Sequence, residues 1–511
     1  MHIDFVELNR QFWVHFVPKG GIAKVLVEEP EIPYIIHING IFTLILNQAK
    51  KYQPVWLQSS HNHKALLNSY VPSSEITRLT RLSIFTWFRL CILSLRQYRR
   101  WKHPGDILNF EYDRVKYGDL IFDEYLLKEK VATIAKLNWR ILLYLLQCLL
   151  RHEHILALLR SSNFRAVLVS HQVGIKSGVM LRVALRYGYE GYLRAGQYKS
   201  SFQRFTSLDQ VYDYEYKPFP KDITRLNNAL GNDFNITYKS IKSRQTQGNG
   251  GNDSSTAYSK LSKLYKDKQS FDEDYSLDTK KNNIFVMLHS FNDYPHSHFK
   301  WMIFQDFYHW FKKTLKFARE DDSVNWIFKQ HPSIRFYPTK DVDYDQEFSD
   351  LPPHIRYLDE NKPLNTLSLT KCADVVITCI GSAGFELPAL SGTPSIIAGD
   401  TFYSGLGFAY EPNNETEYFN LLKHIASIPK LTPSLQKIAQ AAYMYIYEFS
   451  TVPISAAPSL TVVEQNDPYL EEWYWGKVME SYSSKSELIY QEIMSYISRV
   501  SDRQFKRLES I

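Results

Sequence analysis

Four consecutive small residues have the pattern of a phosphate-binding turn: Gly381, Ser382, Ala383 and Gly384. They follow an apolar β-branched run, Val375–Ile377, and precede an apolar helical stretch, Phe385–Leu390. This order predicts a buried strand, a tight turn and a helix. Peptide N–H groups at the start of that helix could hold a phosphate, because this end carries partial positive charge. Glu386 would then accept hydrogen bonds from a ribose, although the same pattern also occurs in α/β proteins that bind no phosphate.

A second polar cluster follows the predicted strand Ile284–Leu288, where His289, Asp293 and His296 share one loop. Asp293 could act as a general base or as a ribose ligand. Two histidines and an aspartate could also bind a metal ion, but their spacing matches no standard zinc pattern. The sequence therefore predicts no metal site.

A third polar cluster, His331-Pro332, follows the predicted strand Asn325–Lys329, whose last residue is a further candidate. His331 could donate a hydrogen bond or a proton to a phosphate, and Pro332 would hold the loop rigid. The carboxyl ends of parallel strands lie at one edge of a sheet, so the three loops are predicted to open onto one crevice. Such a crevice suits the phosphate of a nucleotide leaving group.

The first half of the chain carries two weaker signals. In the segment YGDLIFDEY (117–125), Asp119 and Asp123 would share one face of a helix, although Asp119 could equally be an N-cap. The predicted strand Arg165–Ser170 ends in Ser170 and His171, where site residues of α/β sheets fall. His171 could equally be a hydrogen-bonded loop histidine.

Several common catalytic motifs are missing from the sequence. Ile380 stands where the first glycine of a Gly-x-Ser-x-Gly elbow around Ser382 should be, which disfavours a serine hydrolase. Neither a Walker phosphate loop nor G-x-G-x-x-G is present, which disfavours kinases and dehydrogenases.

Apolar runs alternate with helical patterns in both halves, which predicts an α/β pattern with a parallel sheet in each half. In the first half Lys24–Glu28 and Pro54–Leu57 read as strands; in the second half Ile355–Leu358 and Ser395–Ala398 do so, and Leu127–Arg160 and Phe299–Arg319 read as helices. A polar, Gly-rich stretch with charged residues after it predicts a linker. The predicted domains are 1–243, a linker at 244–281, a second domain at 282–460 and a helical tail at 461–511.

Composition predicts a cytoplasmic globular protein. The 511 residues are 44% hydrophobic and 22% charged, with a net charge of +6. Four scattered cysteines predict reduced thiols, and neither a signal core nor an uninterrupted membrane-spanning run is apparent. The stretch Arg78–Lys102 contains seven basic residues and no acidic one. It predicts a basic amphipathic helix that lies on an anionic membrane surface or packs on its own domain.

Four stretches together resemble the bacterial capsule polysaccharide biosynthesis family, which includes β-Kdo transferases. They are YGDLIFDEY (117–125), HSFNDYPH (289–296), the His-Pro of KQHPS (329–333), and the GSAGFELPALSGTP…TFYSGLGF block (381–408), which contains Tyr403. The His-Pro and Ser-Gly elements are also similar to those of polysialyltransferases and, more remotely, glycerophosphate polymerases. Two positions depart from the family pattern: Gln330 replaces a proline, and Leu406 stands where an aromatic residue is common.

The resemblance implies a GT-B fold, in which two Rossmann-type domains face a cleft. It implies that His331, Pro332 and the Ser382 loop hold the nucleotide of a CMP-activated acid sugar such as Kdo, and that the first domain takes a glycan or lipid-linked acceptor. Asp293 or Asp119 would be the base, with Tyr403 another cleft candidate. No cofactor is expected, because the nucleotide sugar is a substrate. The alternatives are a nucleotide-binding scaffold without turnover and a CDP-glycerol phosphotransferase.

Overall fold

The computed structural model describes two compact units. The described residues are 23–28, 39–40, 42–43, 46–47, 51–57, 71, 74–195, 199–213, 217–218, 220–230, 262–332, 334, 337–359, 364–446 and 452–453. The first unit comprises Met1–Tyr125, Ala135–Tyr216 and Phe449–Ser510, and the second comprises Leu126–Ile134, Lys217–Glu448 and Ile511.

A seven-stranded sheet forms the centre of the first unit, in the order β15-β8-β7-β6-β1-β2-β3. The pairings from β7 to β3 are parallel, whereas β8 and β15 add antiparallel strands at one edge. A separate hairpin, β4-β5, lies outside the sheet. The strands are β1 Lys24–Val27, β2 Gln53–Leu57, β3 Glu75–Thr77, β4 Glu111–Tyr112, β5 Val115–Lys116, β6 Phe164–Val169, β7 Glu190–Ala195, β8 Lys199–Phe205 and β15 Val452–Pro453.

A six-stranded sheet forms the centre of the second unit, and all of its pairings are parallel. Its order, β11-β10-β9-β12-β13-β14, is the 3-2-1-4-5-6 order of a Rossmann fold. Strands β9, β10 and β12 are almost continuously buried and rich in Val, Ile and Phe, as expected for parallel strands covered on both faces. The strands are β9 Asn283–Met287, β10 Asn325–Lys329, β11 Ile355–Leu358, β12 Val375–Thr378, β13 Ser395–Ile397 and β14 Ala409–Tyr410.

Helices cover both sheets, and several begin at side-chain caps. Ser83 accepts from the N–H of Thr86, and Asp306 accepts from that of His309, at 3.1 and 2.8 Å. The α-helices are α1 Ile84–Arg100, α2 Gly118–Glu129, α3 Trp139–Ser161, α4 Val179–Arg186, α5 Pro220–Leu230, α6 Lys268–Asp274, α7 Phe307–Glu320, α8 Tyr344–Glu347, α9 Leu369–Cys372, α10 Ala383–Ser391, α11 Glu415–Lys423 and α12 Pro433–Met444.

Two predicted helices have different bounds in the structure, and in both cases a cap explains the difference. The stretch predicted as one helix from Leu127 to Arg160 is interrupted between α2 and α3, because Asn138 accepts from the N–H of Arg140 and starts α3 anew. The predicted helix Phe299–Arg319 begins only at Phe307, after the cap Asp306. Local hydrogen bonds of these short polar side chains therefore override the apolar pattern.

The division between the units also differs from the predicted boundary. The sequence places a linker at 244–281, whereas the compact units separate after Tyr216. Residues 244–261 lie outside the described residues, but Phe271 of α6 is buried in the core of the second unit with Phe285 and Ile327. The described part of this stretch, 262–281, therefore contains a helix that packs on the second unit. The predicted tail, 461–511, also lies outside the described residues.

The α/β class and the parallel sheets are as predicted. All four cysteines are free thiols, and three of them are buried. Among the described residues, only α3 is long and apolar enough to span a membrane, and half of its most apolar stretch is buried within the protein. Arg151 and His152 of the same helix are also buried within the protein.

Candidate functional site

The loops after β9 and β12 meet at the point where the strand order of the second sheet reverses. These two strands are neighbours in the sheet although α7, β10 and β11 lie between them in the sequence. In open α/β sheets a crevice forms outside the carboxyl ends of the strands at this point. The first loop carries His289 and Ser290, and the second carries Gly381 and Ser382.

His289 ties these two loops together. Its Nε2 accepts the backbone N–H groups of Cys379 and Ile380, both at 3.2 Å, and lies 3.1 Å from Thr378 Oγ1. Its ring stacks on Phe307, with the ring centroids 4.3 Å apart. Burial, with a smaller effect from nearby His331, lowers the pKa of His289 to about 3. His289, predicted as a cleft residue, is thus a neutral histidine whose Nε2 is occupied within the protein.

The small residues of the turn are required by close packing. A Cβ atom on Gly384 would overlap the hydroxyl of Tyr403, and one on Gly381 would lie 2.7 Å from Thr378 Oγ1. The Tyr403 hydroxyl donates to the carbonyl oxygen of Gly381 at 2.8 Å. Tyr403 is buried, so its role in the structure is to stabilise the turn through this hydrogen bond.

The first turn of α10 presents backbone N–H groups. Ser382 precedes the helix with no side-chain cap and is exposed. The N–H groups of Gly384 and Phe385 bond to carbonyl oxygens of the turn, whereas those of Ser382 and Ala383 have no acceptor among the described residues. Unpaired N–H groups at a helix N-terminus are suited to an anion.

A buried proline in α10 has its own compensation. Pro388 lacks the N–H that would bond to the carbonyl oxygen of Gly384, four residues earlier. The Ser395 hydroxyl donates to that oxygen instead, at 2.7 Å. The first turn of α10 is therefore fastened to the start of β13.

Lys329 places a buried positive charge at the same edge. Its side chain is only 8% exposed, and its ammonium group has no acceptor among the described residues. Burial lowers its pKa to about 8. Side chains alternate along a strand, so Lys329 lies on the same sheet face as Ile327, which packs in one core cluster with Leu387 of α10. Lys329 and the start of α10 thus share one face and one edge of the sheet.

The third predicted loop reaches the same place. Ser290 Oγ lies 3.4 Å from Nδ1 of half-buried His331, which connects the loops after β9 and β10. Pro332 follows and is also half-buried. The convergence of the three loops that the sequence predicts is therefore present in the second unit.

The remaining candidates of this unit surround the convergent loops. Asp293 and His296 are half-buried in the loop after β9, where the N–H of Asp293 donates to the carbonyl oxygen of Ser290 at 3.1 Å. Glu386 is buried in the first turn of α10. Among the described residues no three His, Cys, Asp or Glu side chains are arranged to hold a metal ion.

Asp119 of the first unit is engaged in a buried ion pair. Both of its carboxylate oxygens accept from the Arg182 guanidinium, at 2.7 and 2.6 Å, and Tyr212 donates a third bond at 3.0 Å. Burial alone would raise the pKa of Asp119, but the charge and hydrogen bonds of Arg182 lower it overall. Asp119 lies inside α2, so it is not an N-cap. A carboxylate with this pairing is disfavoured as a base.

A polar cluster that the sequence analysis missed lies where the strand order of the first sheet reverses. Glu28, directly after β1, accepts from the N–H of Ser170 at 2.6 Å and from the hydroxyl of Ser177. Burial raises the pKa of Glu28, and the hydrogen bond from Ser177 opposes this shift. Ser170 is therefore a buried partner of Glu28, whereas His171 is exposed. The sequence signal for this cluster is Glu28 itself, an acidic residue directly after an apolar strand.

A cavity of about 720 Å³ lies elsewhere in the second unit, beside α7 and α8. Its basic residues are accompanied by acidic ones, since Lys312 pairs with Glu347 and Asp341 and Asp343 also line the cavity. Mixed charge makes this cavity a poorer anion site than the edge with Lys329.

Fold and site together define a protein with two Rossmann-type α/β units, the second with polar loops that meet at its switch point. No family model matches the sequence, and no curated protein matches it. Solved structures that it resembles include KpsC of Thermosulfurimonas dismutans, described as a β-Kdo 2,4 transferase: 12% identity, TM-score 0.31, 55% of this chain and 80% of that one. Anabaena HepE, solved with UDP and glucose, is 11% identical with a TM-score of 0.25, and the match covers 91% of this chain and 100% of that one. UDP-GlcNAc 2-epimerase of Neisseria meningitidis is 8% identical with a TM-score of 0.25, and the match covers 82% of this chain and 98% of that one. At these values the similarities assign neither a family nor an activity to this chain.

Proposed function

We propose that the protein is a glycosyltransferase whose donor is a nucleotide-activated sugar. The observation that carries the proposal is that two kinds of unpartnered donor lie at one edge of the sheet. They are the backbone N–H groups of Ser382 and Ala383 and the buried ammonium group of Lys329. A buried cation without a counter-charge is costly, and a bound phosphate would supply that charge. Helix end and lysine together would neutralise the leaving phosphate without a metal ion.

The residues around this edge receive the following roles. His331 donates to a phosphate oxygen, and Glu386 accepts from the ribose. An acceptor hydroxyl attacks the anomeric carbon of the sugar, the bond from that carbon to the phosphate oxygen breaks, and the nucleotide leaves with the electron pair. Asp293 takes the proton of the hydroxyl, since the ion pair with Arg182 disfavours Asp119 as the base.

The finer assignment is a CMP-activated acid sugar such as Kdo, transferred to a glycan or glycolipid acceptor of surface or capsular polysaccharide. It is supported by the resemblance of the HSFNDYPH, His-Pro and GSAGFELPALSGTP stretches to that family. The first unit would take the acceptor, and the reaction would take place in the cytoplasm.

The test is a donor panel with the purified full chain. CMP-Kdo, CMP-sialic acid, UDP-GlcNAc and CDP-glycerol are offered with and without a glycan acceptor, and the free nucleotide and the product are identified. We expect CMP release that depends on acceptor and is lost in His331→Ala and Lys329→Met, but not in the exposed control Lys371→Met. Nucleotide binding without turnover of any donor would indicate a scaffold, and consumption of CDP-glycerol a phosphotransferase; either result would overturn the proposal.

A further inference from the structure

Helix α1 exposes a continuous apolar face. Ile84, Phe88, Ile92 and Leu95 recur at three- and four-residue spacing and therefore share one side of the helix. They are 65%, 54%, 51% and 40% exposed, and Phe85 beside them is 83% exposed. Isolated exposed apolar residues are common on proteins, but a contiguous stripe of this kind marks an interaction surface.

The side of α1 that faces the protein is the opposite one. Leu90 and Ser94 are its buried residues, and α1 packs against α3. With 3.6 residues per turn, Leu90 lies about 200° around the helix from Phe88. A helix of a water-soluble domain normally directs its apolar stripe to the core. Here the stripe points away from the core, so packing among the described residues does not explain it.

Basic side chains border the stripe. Arg96, Arg99 and Arg100 are exposed near the C-terminal end of α1, and the stretch 78–102 contains no acidic residue. Arg89 is paired with Glu153 at 2.7 Å and belongs to the protein's own surface network. The other three arginines have no acidic partner among the described residues. Long arginine side chains can cover apolar surface with their stems while their charged ends stay in water.

We propose that this face of α1 docks onto an anionic lipid bilayer. The helix would lie in the plane of the interface, with Phe85, Phe88 and Ile92 at the boundary between headgroups and acyl chains and the arginines at lipid phosphates. An amphipathic helix with aromatic residues and uniform positive charge has the properties that such binding needs. Charge complementarity selects the lipid surface, because the negative surface potential of an anionic membrane attracts basic residues close to it. This proposal does not depend on the proposed activity.

The apolar part is tested by vesicle flotation of the full chain. Phosphatidylcholine vesicles with and without phosphatidylglycerol are compared, using wild type, Phe85→Ser/Phe88→Ser, and the control Leu264→Ser/Trp301→Ser, which removes apolar groups that are 53% and 38% exposed in the second unit. We expect binding to phosphatidylglycerol vesicles that falls at least tenfold in the α1 variant and is unchanged in the control. Circular dichroism and thermal unfolding check that both variants fold.

The charge part uses two variants with the same change in net charge. Arg96, Arg99 and Arg100 are replaced by Glu in one, and the exposed Lys371, Lys423 and Lys430 in the other. We expect the first to abolish flotation, the second to weaken it by less than threefold, and added NaCl to weaken wild-type binding. Equal binding to neutral vesicles, or full binding by either α1 variant, would overturn the proposal. So would absence of vesicle binding together with a dimer in size-exclusion chromatography that Phe85→Ser/Phe88→Ser dissociates.

Discussion

Nε2 of His289 lies 3.1 Å from Oγ1 of Thr378 and accepts two backbone N–H groups of the following turn. This relationship joins the ends of β9 and β12, two neighbouring strands that are 89 residues apart at these positions. The turn Gly381–Gly384 is therefore held by a histidine that accepts these hydrogen bonds in its neutral form.

The His289 contacts predict acid sensitivity. The folded-state pKa of about 3 lies below the usual value of 6.5, so the stabilising contribution is complete above about pH 6.5 and is lost as pH falls toward 3. The loss is at most about 1.4 kcal/mol per pH unit. Urea unfolding at several pH values should show a shallower pH dependence for His289→Gln in this window than for wild type. The exposed-histidine control His424→Gln should keep the wild-type slope; equal slopes in all three proteins would contradict the assignment.

Lys329 predicts proton uptake on nucleotide binding. Its pKa of about 8 in the free protein should rise when a phosphate supplies the missing counter-charge, so binding above pH 8 should take up a proton. Calorimetry with CMP at pH 8.5, in two buffers of different ionisation enthalpy, measures this uptake. Lys329→Met should abolish it and weaken binding about tenfold or more, the value of a charge-assisted hydrogen bond.

The same lysine has a second, ligand-independent consequence. Because its folded-state pKa is lowered from 10.5, its contribution to stability is complete above about pH 10.5 and is lost as pH falls through about 8. The free energy of unfolding of Lys329→Met, minus that of wild type, should therefore be larger at pH 7 than at pH 10.5. The exposed control Lys371→Met should show no such trend, and an equal trend in both variants would remove Lys329 as the cause.

Ser395 and Pro388 form a testable pair. Ser395→Ala leaves the Gly384 carbonyl oxygen buried without a donor and should cost about 1–3 kcal/mol of unfolding free energy. Pro388→Ala restores the N–H that the helix lacks, so Ser395→Ala should cost less in that background. Chemical denaturation of the four proteins gives the coupling energy directly. A coupling of zero would show that the hydroxyl does not compensate for the proline.

Asp119 distinguishes a structural ion pair from a catalytic base. Asp119→Asn leaves the Arg182 charge buried and should lower the free energy of unfolding by about 3–5 kcal/mol. Arg182→Met in the same chain removes that charge and should recover part of the loss. The control is Glu111→Gln at an exposed position. Unchanged stability with lost turnover would instead restore Asp119 as the base.

Much of the second unit could be predicted because its strands are signalled locally. The bounds of β10 and β11 agree with the sequence prediction, since each is a short apolar run bordered by polar or turn residues. The turn before α10 could also be predicted, because consecutive small residues between an apolar strand and a helix indicate a tight turn. The roles proposed for His331, Glu386 and Asp293 remain predictions.

Other features could not be predicted from local patterns. The occupied state of His289 depends on N–H groups 90 residues away, and the pairing of Asp119 with Arg182 spans 63 residues. Glu28 receives hydrogen bonds from residues more than 140 positions later. A sequence shows that such groups can form hydrogen bonds, but only packing brings a particular donor and acceptor together.

The sequence by itself determined the α/β class, the parallel strands and the small-residue turn, because each follows from the periodicity and size of neighbouring side chains. The tertiary structure alone decided which polar groups are satisfied within the protein. Among the described residues, the ammonium group of Lys329 and the first N–H groups of α10 have no such partner. It also decided that the apolar stripe of α1 faces outward. Helical periodicity shows that a stripe exists, but the side that is buried depends on the surface against which the helix packs.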